Sequence, residues 1–199
     1  MAVVESVRGP VDLGSLGQTL MHEHVFVLST EHMQNYGRSW WNEEVRVADA
    51  IAKLNAMYAK GIHTIVDPTV WGLGRYIPRI QRIATQTPVN IIVATGLYVY
   101  EELPQQYAYR GPGLLIDIPD PMVTDFSRDI TEGIAGTGVK AAFLKCYMET
   151  AEPTPASSRS PAPSPGRTAR PARPSPCTPQ ARIRAGGRRC GSSPKRVST

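Results

Sequence analysis

Two histidines one residue apart, His22 and His24, are the part of this 199-residue chain best suited to chemistry. Residues 18–27 are rich in apolar and β-branched types and follow the turn-forming Gly14 and Gly17, a pattern that predicts a buried strand. Side chains two apart on a strand share a face, so the pair would project together, about 7 Å apart along the chain. That is close enough to converge on one metal ion. The alternative is a pair of hydrogen-bonded histidines near a strand end. Asp67 closes a further β-branched run, and Lys145 stands at the end of an apolar one. A lysine in that position is costly without a partner, unless it snorkels to the surface.

These residues need a scaffold, and the order of the elements suggests one. Residues 2–15 alternate weakly around Arg8-Gly9-Pro10, as a small hairpin would. After the first strand, residues 27–42 read as a loop ending near Trp40 and Trp41. Asn42-Glu43-Glu44 starts a helix with Val47, Ile51, Leu54 and Tyr58 at helical spacing, closed by Lys60-Gly61. Residues 62–66 form a second strand, and Ile77, Ile80 and Ala84 mark a second helix. Residues 90–95 form a third strand ending at Gly96, followed by a long loop, 97–120, rich in tyrosine. Asp120-Pro121 opens a third helix with Val123, Phe126, Ile130 and Ile134 on its apolar face. Residues 139–144 make a fourth strand that ends at Lys145.

Strict alternation of strand and helix means a parallel sheet with right-handed crossovers. Four βα units make the N-terminal half of a (β/α)8 TIM barrel, with a doubly wound α/β sheet as the second choice. The barrel is favoured because His22, His24, Asp67 and Lys145 all fall at C-terminal strand ends, where barrel active sites are built.

Composition divides the chain near Thr150. Residues 1–150 carry 12 Lys and Arg against 16 Asp and Glu, whereas residues 151–199 carry 10 against 1. All the aromatic residues precede the boundary, and 10 of the 18 prolines follow it. Residues 151–199 lack the apolar content for a core and are expected to be disordered. One reading of this segment is a basic arm for nucleic acid, disfavoured because no aromatics interleave the charges. The other, favoured, is a frameshift product of a GC-rich gene: assuming GC-rich codons, a one-nucleotide shift of Pro174-Ser175-Pro176-Cys177-Thr178 can yield Ile-Thr-Val-His-Thr. The three cysteines, Cys146, Cys177 and Cys190, show no paired spacing, and no run of 18 apolar residues or leader pattern occurs. A cytoplasmic protein without disulfides or membrane spans is expected.

The motifs carry a family resemblance. Gly17-Gln18-Thr19-Leu20-Met21-His22-Glu23-His24 resembles the opening signature of the phosphotriesterase family, within the amidohydrolase superfamily. Asp67-Pro68-Thr69-Val70-Trp71-Gly72-Leu73-Gly74-Arg75 is similar to its second-strand motif. Ala94-Thr95-Gly96-Leu97-Tyr98 and Val139-Lys140-Ala141-Ala142-Phe143-Leu144-Lys145-Cys146 resemble the third and fourth. Tyr98 and the aromatic loop point to the lactonase-like branch.

The resemblance implies a hydrolase of small-molecule esters, either lactones or phosphotriesters, that works through a metal-bound hydroxide. It places His22 and His24 on the first of two divalent metals, and Lys145 as a carboxylated bridge between them. Zinc is the first expectation, with cobalt, manganese or iron as alternatives. Tyr98 would stand on the substrate side, or else serve as packing, and Arg75 would support the structure. The intact family fold admits a homodimer. The family also uses two histidines and an aspartate from later strands, yet no histidine or aspartate follows Cys146. His32 and His63 lie in the wrong places to substitute. With three of six ligands, this chain is expected to be inactive, and a non-catalytic remnant is the alternative reading.

Overall fold

The computed structural model describes residues 2–99 and 103–148. The segment 151–199, expected to be disordered, lies outside them.

The chain opens with the expected hairpin, β1 (Val3–Ser6) antiparallel to β2 (Gly9–Asp12). The main sheet follows, with strands β3 (Gln18–Leu20), β4 (Ile62–Asp67), β5 (Asn90–Val99) and β6 (Phe143–Met148). All are parallel and lie side by side in sequence order. Helices α2 (Glu43–Ala59), α3 (Ile77–Ala84) and α5 (Pro121–Thr131) make the crossovers. This is a curled half-barrel, as the alternation predicts.

Strand pleat sorts the side chains into two cores. On the helix side, Ile65, Ile91 and Val93 pack with Val47, Ala50 and Leu54 of α2 and Ile77, Ile80 and Ile83 of α3. Burying each large aliphatic side chain contributes about 1.5–3 kcal/mol. On the inner side, Val66, Ile92 and Ala142 pack with Val4, Leu16 and Phe143, so the N-terminal hairpin fills the bottom of the half-barrel. Val7 N–H donates to Ile91 O at 2.9 Å, and the Arg8 guanidinium donates to the carbonyls of Ala84, Thr87 and Pro88 at the end of α3.

Several sequence expectations need correction. The first strand stops at Leu20, so His22 and His24 lie in a bend beyond it. Residues 27–42 are not a plain loop. They hold α1 (Thr30–Tyr36), capped by the Ser29 hydroxyl, and a 3-10 turn at Gly37–Ser39. The third strand continues through Gly96 to Val99, paired with β6 along one edge and bridged to Trp71 of the second-strand motif on the other. Trp71 N–H donates to Gly96 O at 3.2 Å, and Tyr98 N–H to Trp71 O at 2.8 Å. Gly72 makes this approach feasible: with φ at +89°, a Cβ there would meet Tyr98 O at 2.4 Å. The tyrosine-rich loop contains a short helix, α4 (Gln105–Ala108). In α5 the buried residues are Pro121, Met122, Phe126 and Asp129, while Val123 and Ile130 face solvent, and Ile134 is buried in a 3-10 turn beyond the helix. The fourth strand begins only at Phe143, so Lys145 sits within it rather than past its end.

One contact set holds the first loop in place. Arg79 is 5 % exposed, with its guanidinium 5.2–5.7 Å from the ring centres of Phe26, Trp41 and Tyr76. Its Nε donates to Glu43 Oε1 at 2.7 Å. A buried charge is tolerable here because a carboxylate and three ring faces compensate it. No described helix is long and apolar enough to cross a membrane.

Candidate metal centre

The ladder between β3 and β4 ends at Leu20, but Glu23 N–H still donates to Val66 O at 3.0 Å. The bend between them turns both histidines toward one point. His22 Nε2 and His24 Nε2 lie 3.2 Å apart, with ring centres separated by 5.1 Å and planes at 68°. The two rings thus approach one another through the bend and not through a shared strand face.

The spacing fits a shared ion. With metal–nitrogen bonds of about 2.1 Å, nitrogens 3.2 Å apart subtend roughly 100° at the metal, between tetrahedral and octahedral angles. Among the described residues, however, no group of three His, Cys, Asp or Glu side chains could hold an ion. His32 lies on α1 against Tyr36 and Trp40, and His63 lies on β4 against Tyr58. Among the described residues the site therefore brings together two imidazoles and no third such ligand group.

Asp67, at the end of β4, is 2 % exposed. It accepts from Thr69 N–H at 3.0 Å, from the Thr69 hydroxyl, and from Val25 N–H at 3.4 Å. Burial pushes its carboxyl up, against the pull of the Thr69 hydrogen bonds. Thr69 Oγ1 also lies 2.8 Å from His24 Nδ1. Burial first, then the Lys145 and His22 charges, lower the His24 pKa to about 4. The imidazole is therefore neutral at pH 7, and its 3.7 Å approach to Asp67 is no ion pair. His22 is shifted the same way by burial and by Lys145, although its side chain is exposed. Thr69 escaped the sequence reading. The available signal was its place two residues after Asp67, where a short side chain folds back on an Asp carboxylate.

Lys145 enters from β6. Phe143 belongs to the inner core, and Lys145, two residues on, faces the same way. Its register partner is Gly96, which places no side chain in its path. Nζ donates to Pro68 O at 3.1 Å and sits 5.8 Å from the centre of the Tyr98 ring. Burial lowers its pKa, opposed by the Asp67 charge. Tyr98 packs against Val70, Leu73 and Ala94. Arg75 faces away from this chemistry: it donates to Ala94 O and to Asp129 Oδ2, where Thr95 Oγ1 also donates.

A half-barrel that gathers the first-, second- and fourth-strand motifs at one end agrees with the sequence model of the Phosphotriesterase family, which matches residues 2–172. The chain belongs to that family. It is 53 % identical over 155 residues to a phosphotriesterase homology protein of Mycobacterium tuberculosis, covering 78 % of this chain and 48 % of that one. It is 35 % identical over 138 residues to an aryldialkylphosphatase of Saccharolobus solfataricus, covering 69 % and 41 %. A solved phosphotriesterase structure from M. tuberculosis superposes with a TM-score of 0.71 at 54 % identity, over 74 % of this chain and 45 % of that one. The chain thus spans a little under half the length of these relatives.

Proposed function

We propose that this chain carries the first half of a metal-dependent centre for hydrolysing small-molecule esters, lactones or phosphotriesters. The observation that carries the reading is the 3.2 Å approach of the two Nε2 atoms. Family membership and the name of the aryldialkylphosphatase relative support the substrate class. His22 and His24 would hold one ion, and Lys145, carboxylated on Nζ, would bridge to a second. A divalent metal pair, when bound, activates water and polarises the scissile carbonyl or phosphoryl oxygen.

The chain's own residues prepare this arrangement. Burial favours the neutral Lys145 amine, which is the form that can take up carbon dioxide. Conversion to a carbamate would replace a positive charge facing the two histidines with a negative one, and so favour a cation there. Tyr98, stacked over Nζ, would border the substrate.

A second reading is a non-catalytic remnant, favoured because no group of three His, Cys, Asp or Glu side chains among the described residues could hold an ion. Metal analysis of the purified chain, with assays on a lactone, an aryl ester and a dialkyl aryl phosphotriester, separates the two. Metal uptake with turnover that disappears in His22→Asn supports the hydrolase. Metal uptake without turnover supports the remnant. No uptake by the wild-type chain sinks the metal-centre reading itself.

A further inference from the structure

Thr69 stands between a buried carboxylate and one of the paired imidazoles, and a hydroxyl has a single proton to give. That proton goes to Asp67. The Thr69–Asp67 contact is the closest that the hydroxyl makes, while the Phe26 carbonyl lies farther off at 3.4 Å. Asp67 also receives the backbone N–H groups of Thr69 and Val25, and such convergence calls for an acceptor rather than a second donor. Having donated to Asp67, Thr69 Oγ1 accepts, and the group 2.8 Å away is His24 Nδ1. The His24 proton therefore sits on Nδ1.

We propose that Thr69 is a positioning residue that relays Asp67 to His24 and fixes His24 as its Nδ1–H tautomer, with the Nε2 lone pair held toward His22. Two facing lone pairs at 3.2 Å repel, so without a cation His22 must carry its proton on Nε2 and donate to His24. The two histidines thus have different duties. His24 is a preset ligand nitrogen, and only His22 changes tautomer when a cation arrives. The exposures agree: His24 is half-buried beside Thr69, and His22 lies open to solvent. The relay stands on the hydrogen bonds alone. Its value for metal uptake rests on the reading of the site given above, because orienting partners of ligand histidines typically govern affinity about 10–100-fold.

The test is long-range 1H–15N correlation NMR on the four imidazoles of the full-length, metal-free chain, with zinc affinity measured by competition against a chromophoric chelator. In the wild type and in Thr69→Ser, His24 is expected to show a protonated Nδ1 and a bare Nε2. In Thr69→Val it should revert to the Nε2–H form common in water, and zinc should bind about 10–100-fold more weakly. Thr69→Ala serves in place of the valine variant if the latter misfolds. A wild-type His24 protonated on Nε2 overturns the proposal, as does an Nδ1–H form that survives loss of the hydroxyl. Unchanged zinc affinity after a tautomer change overturns the role in metal uptake. A locked tautomer in a wild-type chain that takes up no zinc establishes the relay and defeats the metal-centre reading instead.

Discussion

Gly96 and Lys145 are register partners across the β5–β6 ladder, and a Cβ built on Gly96 would lie 1.8 Å from the Lys145 carbonyl oxygen. The glycine at φ +129° lets the backbone of β6 come close enough to place the lysine. Gly96→Ala should therefore push the strands apart and lower unfolding stability by roughly 3 kcal/mol, from strain and lost pairing together. Urea denaturation measures this directly. A loss below about 0.5 kcal/mol, the range of ordinary surface substitutions, would show that the ladder tolerates the methyl group.

Asp129 offers a second check, away from the histidines. Its side chain and that of Arg75 are each 10 % exposed and joined at 2.9 Å, and Thr95 adds a hydroxyl donor at 2.6 Å. Asp129→Ala strands a buried guanidinium and should cost about 3–5 kcal/mol. Replacing both partners, as in Arg75→Met with Asp129→Leu, should recover much of that loss, because no charge is left unpaired. Comparing the urea midpoints of the single and double variants decides the matter.

Acid stability should report on Glu43. Burial raises its pKa, but hydrogen bonds from Arg79 and Trp41 outweigh this and hold the carboxyl below its ordinary 4.5. A depressed carboxylate contributes stability that is fully present above its unfolded pKa and fades as pH falls through the folded one. The stability difference between wild type and Glu43→Gln should thus be constant near neutrality and shrink below about pH 4.5. Thermal midpoints across pH 3–7, followed by tryptophan fluorescence, test this. A difference that grows on acidification would contradict the assignment.

Lys145 should show a conflict between stability and function. A buried ammonium that donates to a neutral carbonyl, Pro68 O, is poorly compensated, so Lys145→Met should keep or raise the thermal midpoint. The same change removes the nitrogen that the proposed bridge requires, and should abolish uptake of a second metal. A destabilised Lys145→Met would mean that the amine is needed to hold the fold.

The alternating elements and their order were legible because apolar periodicity and caps are local signals. Asn42 and Asp120 cap their helices as read, and β4 ends at Asp67. The errors arose where distant chain segments intervene. Pairing with β6 and with Trp71 extends β5 beyond Gly96, and no window around Gly96 contains that information. Contact with the second-strand motif likewise leaves the histidines in a bend. Arg79 looks like a surface helix residue until Phe26, Trp41 and Tyr76 are seen around it. Of the candidate site, His22, His24, Lys145 and Tyr98 were visible through their motifs. Thr69 was not, since its importance comes from a histidine 45 positions away.

The sheet order β3-β4-β5-β6 repeats the order of synthesis. Each new strand can dock on the one made just before it, so the sheet can grow as the chain leaves the ribosome. The histidines, Asp67 and Thr69 would be in place long before Lys145 emerges, and the lysine would complete an arrangement already set. The N-terminal hairpin is the exception. Its anchors, Ile91 and the end of α3, are made some eighty residues after Val7 and Arg8. The hairpin must therefore wait for the third main strand before it can close the bottom of the sheet.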